Sequence, residues 1–317
     1  MNASASARPI RTAAIVGTGA IGASWATCFL AHGLDVVCTD PSAGAEERLR
    51  AQVARQWSGA EAFGLASGAS RTRLRFTSNL AEAVAAADFV QENGPEKLDL
   101  KRTLFAAMDE AAAPHVVLAS SSSGIVASTF QDACRHPERV LIGHPFNPPH
   151  IIPLIEVVGG TRTSIDAIET AMAFYTAMGR RPIHIRKETK GFVTNRLQAA
   201  LWREAYGLVH AGVASAADID AAISNGPGLR WALKGPFATQ HLSGGTGGLQ
   251  HVLEHLGAPM DDYWQDLFPT RLTDEVKQAV LASAREETSK WNLEAVTRER
   301  DALLVELLKL KATGGGA

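Results

Sequence analysis

Apolar residues fall in two textures along this chain. Up to about Lys187 they come as short runs separated by helix-like stretches; beyond it they recur only at helical spacing. AAIVG, residues 13–17, reads as a buried strand, Ile21–His32 as a helix stopped by Gly33, and LDVVCTD, residues 34–40, as a second strand. That order predicts a parallel sheet covered on both faces. From Glu46 to Trp57, the spacing of Leu49, Val53 and Trp57 predicts another helix. Further strands are expected at Asp88–Glu92, Val116–Ser120 and Val140–His144. Two more are expected in IIPLIEVV (151–158) and RRPIHI (180–185), on either side of a helix over Ile165–Met178. Phe192–His210 is then a long helix with Leu197, Leu201, Ala205 and Leu208 on one face, and Asp218–Ser224, Thr273–Thr288 and Ala295–Lys311 are helix-like. The expected fold class is therefore an α/β domain, residues 1–188, followed by an all-helical domain, residues 189–317.

Three motifs stand at the ends of expected strands. GTGAIG, Gly17–Gly22, leaves one strand, opens a helix and is followed by Asp40 at the end of the next strand, the arrangement of a Rossmann-type dinucleotide site. Gly17 permits the tight turn, Gly19 lets a pyrophosphate approach the backbone, and Gly22 lets helix and sheet pack closely. The helix N–H groups, opening at Ala20 and Ile21, would hold the diphosphate. Asp40 would accept from the ribose diol and repel a 2′-phosphate, so NAD rather than NADP is expected. HPFNPPHIIPLIEVV, 144–158, places His144 at the carboxyl end of VLIGH, in a loop stiffened by proline. Glu156 interrupts an apolar strand, and a buried carboxylate needs a partner. Paired with His144, it would fix the imidazole tautomer for proton abstraction from a hydroxyl. ASSSSG, 119–124, ends another strand on the same sheet edge and offers hydroxyls; KGFVTNRL opens the first helix of the second domain, with Asn195 near its start.

Composition narrows the partner. A net charge of −2 gives no general attraction to nucleic acid or an anionic membrane, so a small molecule is expected. No apolar run reaches bilayer length. The lead-in MNASASARPI lacks the apolar stretch of a signal peptide and reads as disordered, as TGGGA reads as a flexible tail. Cys28, Cys38 and Cys134 are scattered without metal-ligand spacing, so no metal and a reducing, cytoplasmic setting are expected.

Together, GTGAIG with Asp40, SSSSG, HPFNPPHIIPLIEVV and GFVTNRLQ resemble the L-3-hydroxyacyl-CoA dehydrogenase family, in order and over most of the chain. The resemblance implies an N-terminal NAD-binding domain, a C-terminal helical domain that dimerises, and substrate between them. By motif it implies His144 as catalytic base, Glu156 as its orienting acid, and Ser123 and Asn195 as partners of the substrate oxygen. It also implies cofactor contacts at Asn147, Glu96 and Lys101. One departure is that many acyl-CoA members carry Asn-Thr-Ser-Ser where this chain has Ser121-Ser122-Ser123-Gly124.

Acyl-CoA members meet CoA phosphates with a lysine-rich hairpin after the second strand. The corresponding RLRAQVARQWSGAEAFGLASGASRTRL has no lysine. The chain is more similar to the family's short free-acid branch, whose members act on L-carnitine or L-gulonate, and most similar to the carnitine type. A carnitine pocket must hold a carboxylate, for which Arg230 is the candidate, and a quaternary ammonium, for which Trp231, Phe192 or Phe237 could serve through cation–π contact. The alternatives are a 3-hydroxyacyl-CoA dehydrogenase with an unusual CoA site, an L-gulonate 3-dehydrogenase, or a non-catalytic, crystallin-like NAD-binding protein.

Overall fold

The structure, a computed structural model, describes residues 9–313; residues 1–8 of the lead-in and 314–317 of the tail lie outside the described residues. The alternation expected from the sequence appears as β1 (Thr12–Val16), α1 (Ala20–Ala31), β2 (Asp35–Thr39), α2 (Ala45–Phe63), β3 (Leu74–Thr77), α3 (Leu80–Ala85), β4 (Phe89–Glu92), α4 (Leu98–Ala111) and β5 (Val117–Ser120). After β5 come β6 (Val140–Pro145), β7 (Leu154–Gly159), α5 (Ile165–Ala177) and β8 (Arg181–Ile185). The eight strands form one sheet in the order β3-β2-β1-β4-β5-β6-β7-β8. The first six run parallel; β7 is antiparallel to β6, and β8 is parallel to β7. Strand order reverses between β1 and β4, the position at which doubly wound sheets open a crevice for ligands at their carboxyl edge.

The sheet is buried on both faces, which is why its strands read as apolar runs rather than alternating ones. One face packs Trp25, Phe29, Phe89, Phe174 and Tyr175 with α1, α2 and α5; the other packs Val90, Phe105, Met108, Phe130 and Phe192. Alternation decides which chemistry lies on which face. Leu141 belongs to the first core and Ile142 to the second, so Gly143 shares a face with Leu141 and His144 with Ile142.

Contacts divide the chain into two units, one ending at Arg196 and the other starting at Leu197. The second follows α6 (Thr194–His210) with α7 (Ala216–Asn225), α8 (Pro227–Leu233), α9 (Pro236–Ser243), α10 (Gly248–Asp266), α11 (Asp274–Thr288) and α12 (Leu293–Thr313). It buries little of its own apolar surface: Trp264 is 64%, Leu303 64% and Phe237 74% exposed. Among the described residues, no helix is long and apolar enough to cross a membrane.

Candidate active site

Turn geometry explains the glycines. Gly17 takes φ +88°, and a Cβ there would meet the Asn93 backbone at 2.9 Å. A Cβ on Gly22 would lie 2.0 Å from the Gly17 carbonyl oxygen, so α1 can approach the turn only with glycine in its first turn. Above Gly19 a Cβ would meet nothing within 4 Å. The open side of the turn is thus the side on which a diphosphate would lie. The amino end of α1 has no side-chain cap and no acidic residue in its first turn, so the N–H groups at Ala20 and Ile21 face no competing oxygen. These features fit a dinucleotide. Asp40 turns toward the same place: Thr18 donates to it from its backbone N–H (2.8 Å) and hydroxyl (3.2 Å), and Ser42 N–H donates at 2.9 Å. Partial burial pushes the Asp40 carboxyl up, but these donors outweigh it and hold it below the usual carboxylate range.

At the other end of the carboxyl edge, His144 and Glu156 face one another across the antiparallel β6–β7 ladder. The imidazole Nδ1 lies 2.8 Å from Glu156 Oε2, and both residues are buried, at 7% and 1% exposure. The other carboxylate oxygen, Oε1, accepts from Val193 N–H (3.0 Å), Thr194 N–H (2.9 Å) and the Thr194 hydroxyl (3.0 Å), at the amino end of α6. Burial pushes the Glu156 carboxyl up; the His144 bond, then the Thr194 donors, win and hold it below the ordinary range. An ionised carboxylate only accepts, so Nδ1 carries the proton and Nε2 presents its lone pair. No described residue bonds Nε2. This tautomer can take a proton from a hydroxyl at Nε2 while the charge formed on the ring faces Glu156.

The other expected residues are placed as follows. Ser123 follows β5, is exposed, and its hydroxyl makes no hydrogen bond among the described residues. Asn195 is the second residue of α6, next to the Thr194 that bonds Glu156. Asn147 is exposed in the loop after β6 and precedes a cis proline, Pro148. Glu96 accepts from the Ser122 hydroxyl (2.5 Å) and from the N–H groups of Gly124 (2.9 Å) and Ile125 (3.0 Å), so it holds the serine loop. Burial opposes its ionisation, but these bonds, with Lys101 nearby, hold it low. Lys101 lies inside the unit rather than on its surface. It is 1% exposed, with its ammonium 3.0 Å from both Glu92 oxygens and 3.4 Å from the Ser120 hydroxyl, because a buried charge must be paired. Phe192 is not an open wall for a cation. It is fully buried, adopts φ +49°, and packs its ring 5.5 Å from the imidazole. Arg230 and Trp231 on α8 and Phe237 on α9 are exposed on the helical unit.

Glu92, Gln91 and Thr194 bond the expected site residues or the strands that carry them, and no sequence motif assigns them a role. Glu92 had a legible signal, an acid closing the apolar run DFVQE, which is the same anomaly that marked Glu156.

The family model for the NAD binding domain of 3-hydroxyacyl-CoA dehydrogenase matches residues 12–189, and that for its C-terminal domain matches residues 191–279. The chain belongs to the 3-hydroxyacyl-CoA dehydrogenase family. Within that family it is 46% identical over 300 residues to an L-carnitine dehydrogenase of Pseudomonas putida, covering 95% of this chain and 94% of the relative. It is 47% identical to the L-carnitine dehydrogenase of Streptomyces griseus, covering 96% and 90%. Among solved structures, a 5-formyl-3-hydroxy-2-methylpyridine 4-carboxylic acid 5-dehydrogenase, an NAD+-dependent dismutase, aligns with a TM-score of 0.81 at 30% identity, over 96% of this chain and 99% of the other. NAD is thus the cofactor of this 3-hydroxyacyl-CoA dehydrogenase family member, and its NAD-binding unit carries the glycine turn, Asp40 and the His144–Glu156 pair.

Proposed function

We propose that this protein oxidises the 3-hydroxyl of L-carnitine to give 3-dehydrocarnitine, with NAD as acceptor. The observation that carries the chemistry is the buried His144–Glu156 pair with Nε2 left free. Support for the substrate comes from the L-carnitine dehydrogenase relatives and from α2. That helix contains no lysine, and its arginines are engaged at home: Arg48 on the Ala43 carbonyl, Arg50 on Glu46, Arg55 on Gln52. A CoA phosphate would find little charge-assisted bonding there.

The glycine turn and Asp40 would hold NAD, which would supply the acceptor for the hydride leaving C3. Ser123 and Asn195 bond the C3 oxygen and orient the C–H bond. His144 takes the hydroxyl proton at Nε2, and Glu156 stabilises the imidazolium without itself being protonated. In the reverse direction the same nitrogen returns the proton. The exposed apolar surface of the helical unit, including Trp264 and Leu303, supports a homodimer built through that unit. The three cysteines, all buried and free, fit a reducing cytoplasm.

The test follows NADH absorbance with L-carnitine, L-gulonate, 3-hydroxybutyrate and 3-hydroxybutyryl-CoA. L-Carnitine is expected to have the highest kcat/KM; preference for the CoA ester would overturn the substrate. His144→Ala is expected to lose about 10²–10⁴-fold in kcat while NAD affinity persists. Near-native turnover by this variant would overturn the base.

A further inference from the structure

Behind His144, on the opposite face of the sheet, lies a buried polar network that the proposed reaction does not use. Tyr175, fully buried on α5, donates its hydroxyl to Gln91 Oε1 at 2.5 Å. Gln91, fully buried on β4, donates through Nε2 to the Gly143 carbonyl at 3.1 Å and to Ser121 Oγ at 2.8 Å. Trp25 on α1 donates its indole N–H to the same Ser121 oxygen at 3.1 Å, and Ser121 donates onward to Asn93 Oδ1 at 2.8 Å. Asn93 closes the circuit by donating to the Gln91 carbonyl at 2.9 Å.

The placement is specific. Gly143 immediately precedes His144, and a Cβ at 143 would lie 2.0 Å from the Tyr175 oxygen, so the glycine makes room for this hydroxyl. Ser121 opens the loop that carries Ser123, at the point where the chain departs from the Asn-Thr-Ser-Ser pattern. Asn93 backs the glycine turn, since a Cβ on Gly17 would strike its backbone. The Gln91 amide therefore ties together the roots of the serine loop and the histidine loop, while Asn93, beside the cofactor turn, is held by Ser121 and by the Gln91 main-chain carbonyl. An apolar residue would fill the space at Gln91 but lose its three side-chain bonds, keeping only the main-chain carbonyl's bond to Asn93. The polar groups of Tyr175, Gln91 and Trp25, held in a dry core, are costly unless satisfied, and fully satisfied they lock one geometry.

We infer that Gln91, keyed by Tyr175, is a positioning residue for the reaction: it fixes the β6 backbone behind His144 relative to the serine loop. It touches neither substrate nor cofactor and acts through the Gly143 carbonyl and Ser121. The inference rests on the reading of His144 as the base.

Two variants test it, Tyr175→Phe, which removes one oxygen, and Gln91→Leu, which removes the hub. Each is compared with wild type for kcat, KM, NAD affinity and the primary isotope effect with L-carnitine deuterated at C3. Mispositioning slows chemistry itself, so kcat should fall about tenfold or more, with the isotope effect rising and NAD affinity held. A smaller folded fraction would lower kcat with the isotope effect unchanged, and that result overturns the inference. So do kcat and isotope effect both within about twofold of wild type in Tyr175→Phe. A substrate-free readout separates this from failure of the carnitine reading: the Nδ1 proton of His144 in 15N-histidine-labelled protein, assigned by its loss in His144→Gln. It should exchange with water faster in both variants, and unchanged exchange counts against the inference whatever the substrate proves to be.

Discussion

At the scale of single residues, Glu156 shows how burial and catalysis share one solution. A carboxylate 1% exposed must be satisfied, and four donors reach it: His144 Nδ1, the N–H groups of Val193 and Thr194, and the Thr194 hydroxyl. Glu156→Gln keeps the size and loses the charge that faces the imidazolium. Its kcat is expected to fall by about 10²-fold, with substrate KM changed little, in steady-state NADH assays. An unchanged kcat would remove Glu156 from the mechanism. The pair was legible in the sequence, because a histidine before proline and an acid inside an apolar strand are both local anomalies. Thr194 and Phe192 were not. Their roles depend on the chain turning through a left-handed residue at Phe192 before α6 begins, whereas periodicity alone ran the helix back to Phe192.

Among elements, the strands of the sheet were readable because a sheet buried on both faces is written as continuous apolar runs. The antiparallel return of β7 was not, since an apolar run carries no direction. Short elements with mixed surfaces, β3 and α3, also left no periodic trace, and α8, α9 and α10 open on glycine or proline, with Pro259 lying inside α10. The glycine turn is the opposite case, where glycine spacing between a strand and a helix, with Asp40 closing the next strand, announced the geometry. Gly22→Ala would place a methyl 2.0 Å from the Gly17 carbonyl and push α1 off the turn. The expected outcome is at least about a tenfold loss of NAD affinity by fluorescence titration, with thermal stability lowered as well. Retained affinity would mean that the helix start does not set the cofactor site.

For the whole molecule, pH links these local arrangements to stability. Asp40, Glu96 and Glu156 all titrate below their ordinary values in the folded protein; burial opposes this in each case, and hydrogen-bond donors outweigh it. A depressed folded pKa stabilises the protein above the unfolded value, and that stabilisation disappears as pH falls through the folded one. The denaturation midpoint should therefore hold near neutrality and drop progressively below about pH 4, and Glu156→Gln should show a shallower drop. A midpoint flat to acid would show these carboxylates to be no better held than in the unfolded chain. The β6–β7 ladder carries a further consequence. Because His144 and Glu156 are direct partners in it, a slip of one position would send one of them through to the opposite side of the sheet. The acid and the base therefore exist as a couple only in a correctly threaded chain, and turnover doubles as a proofreading signal for how the last strands were laid down.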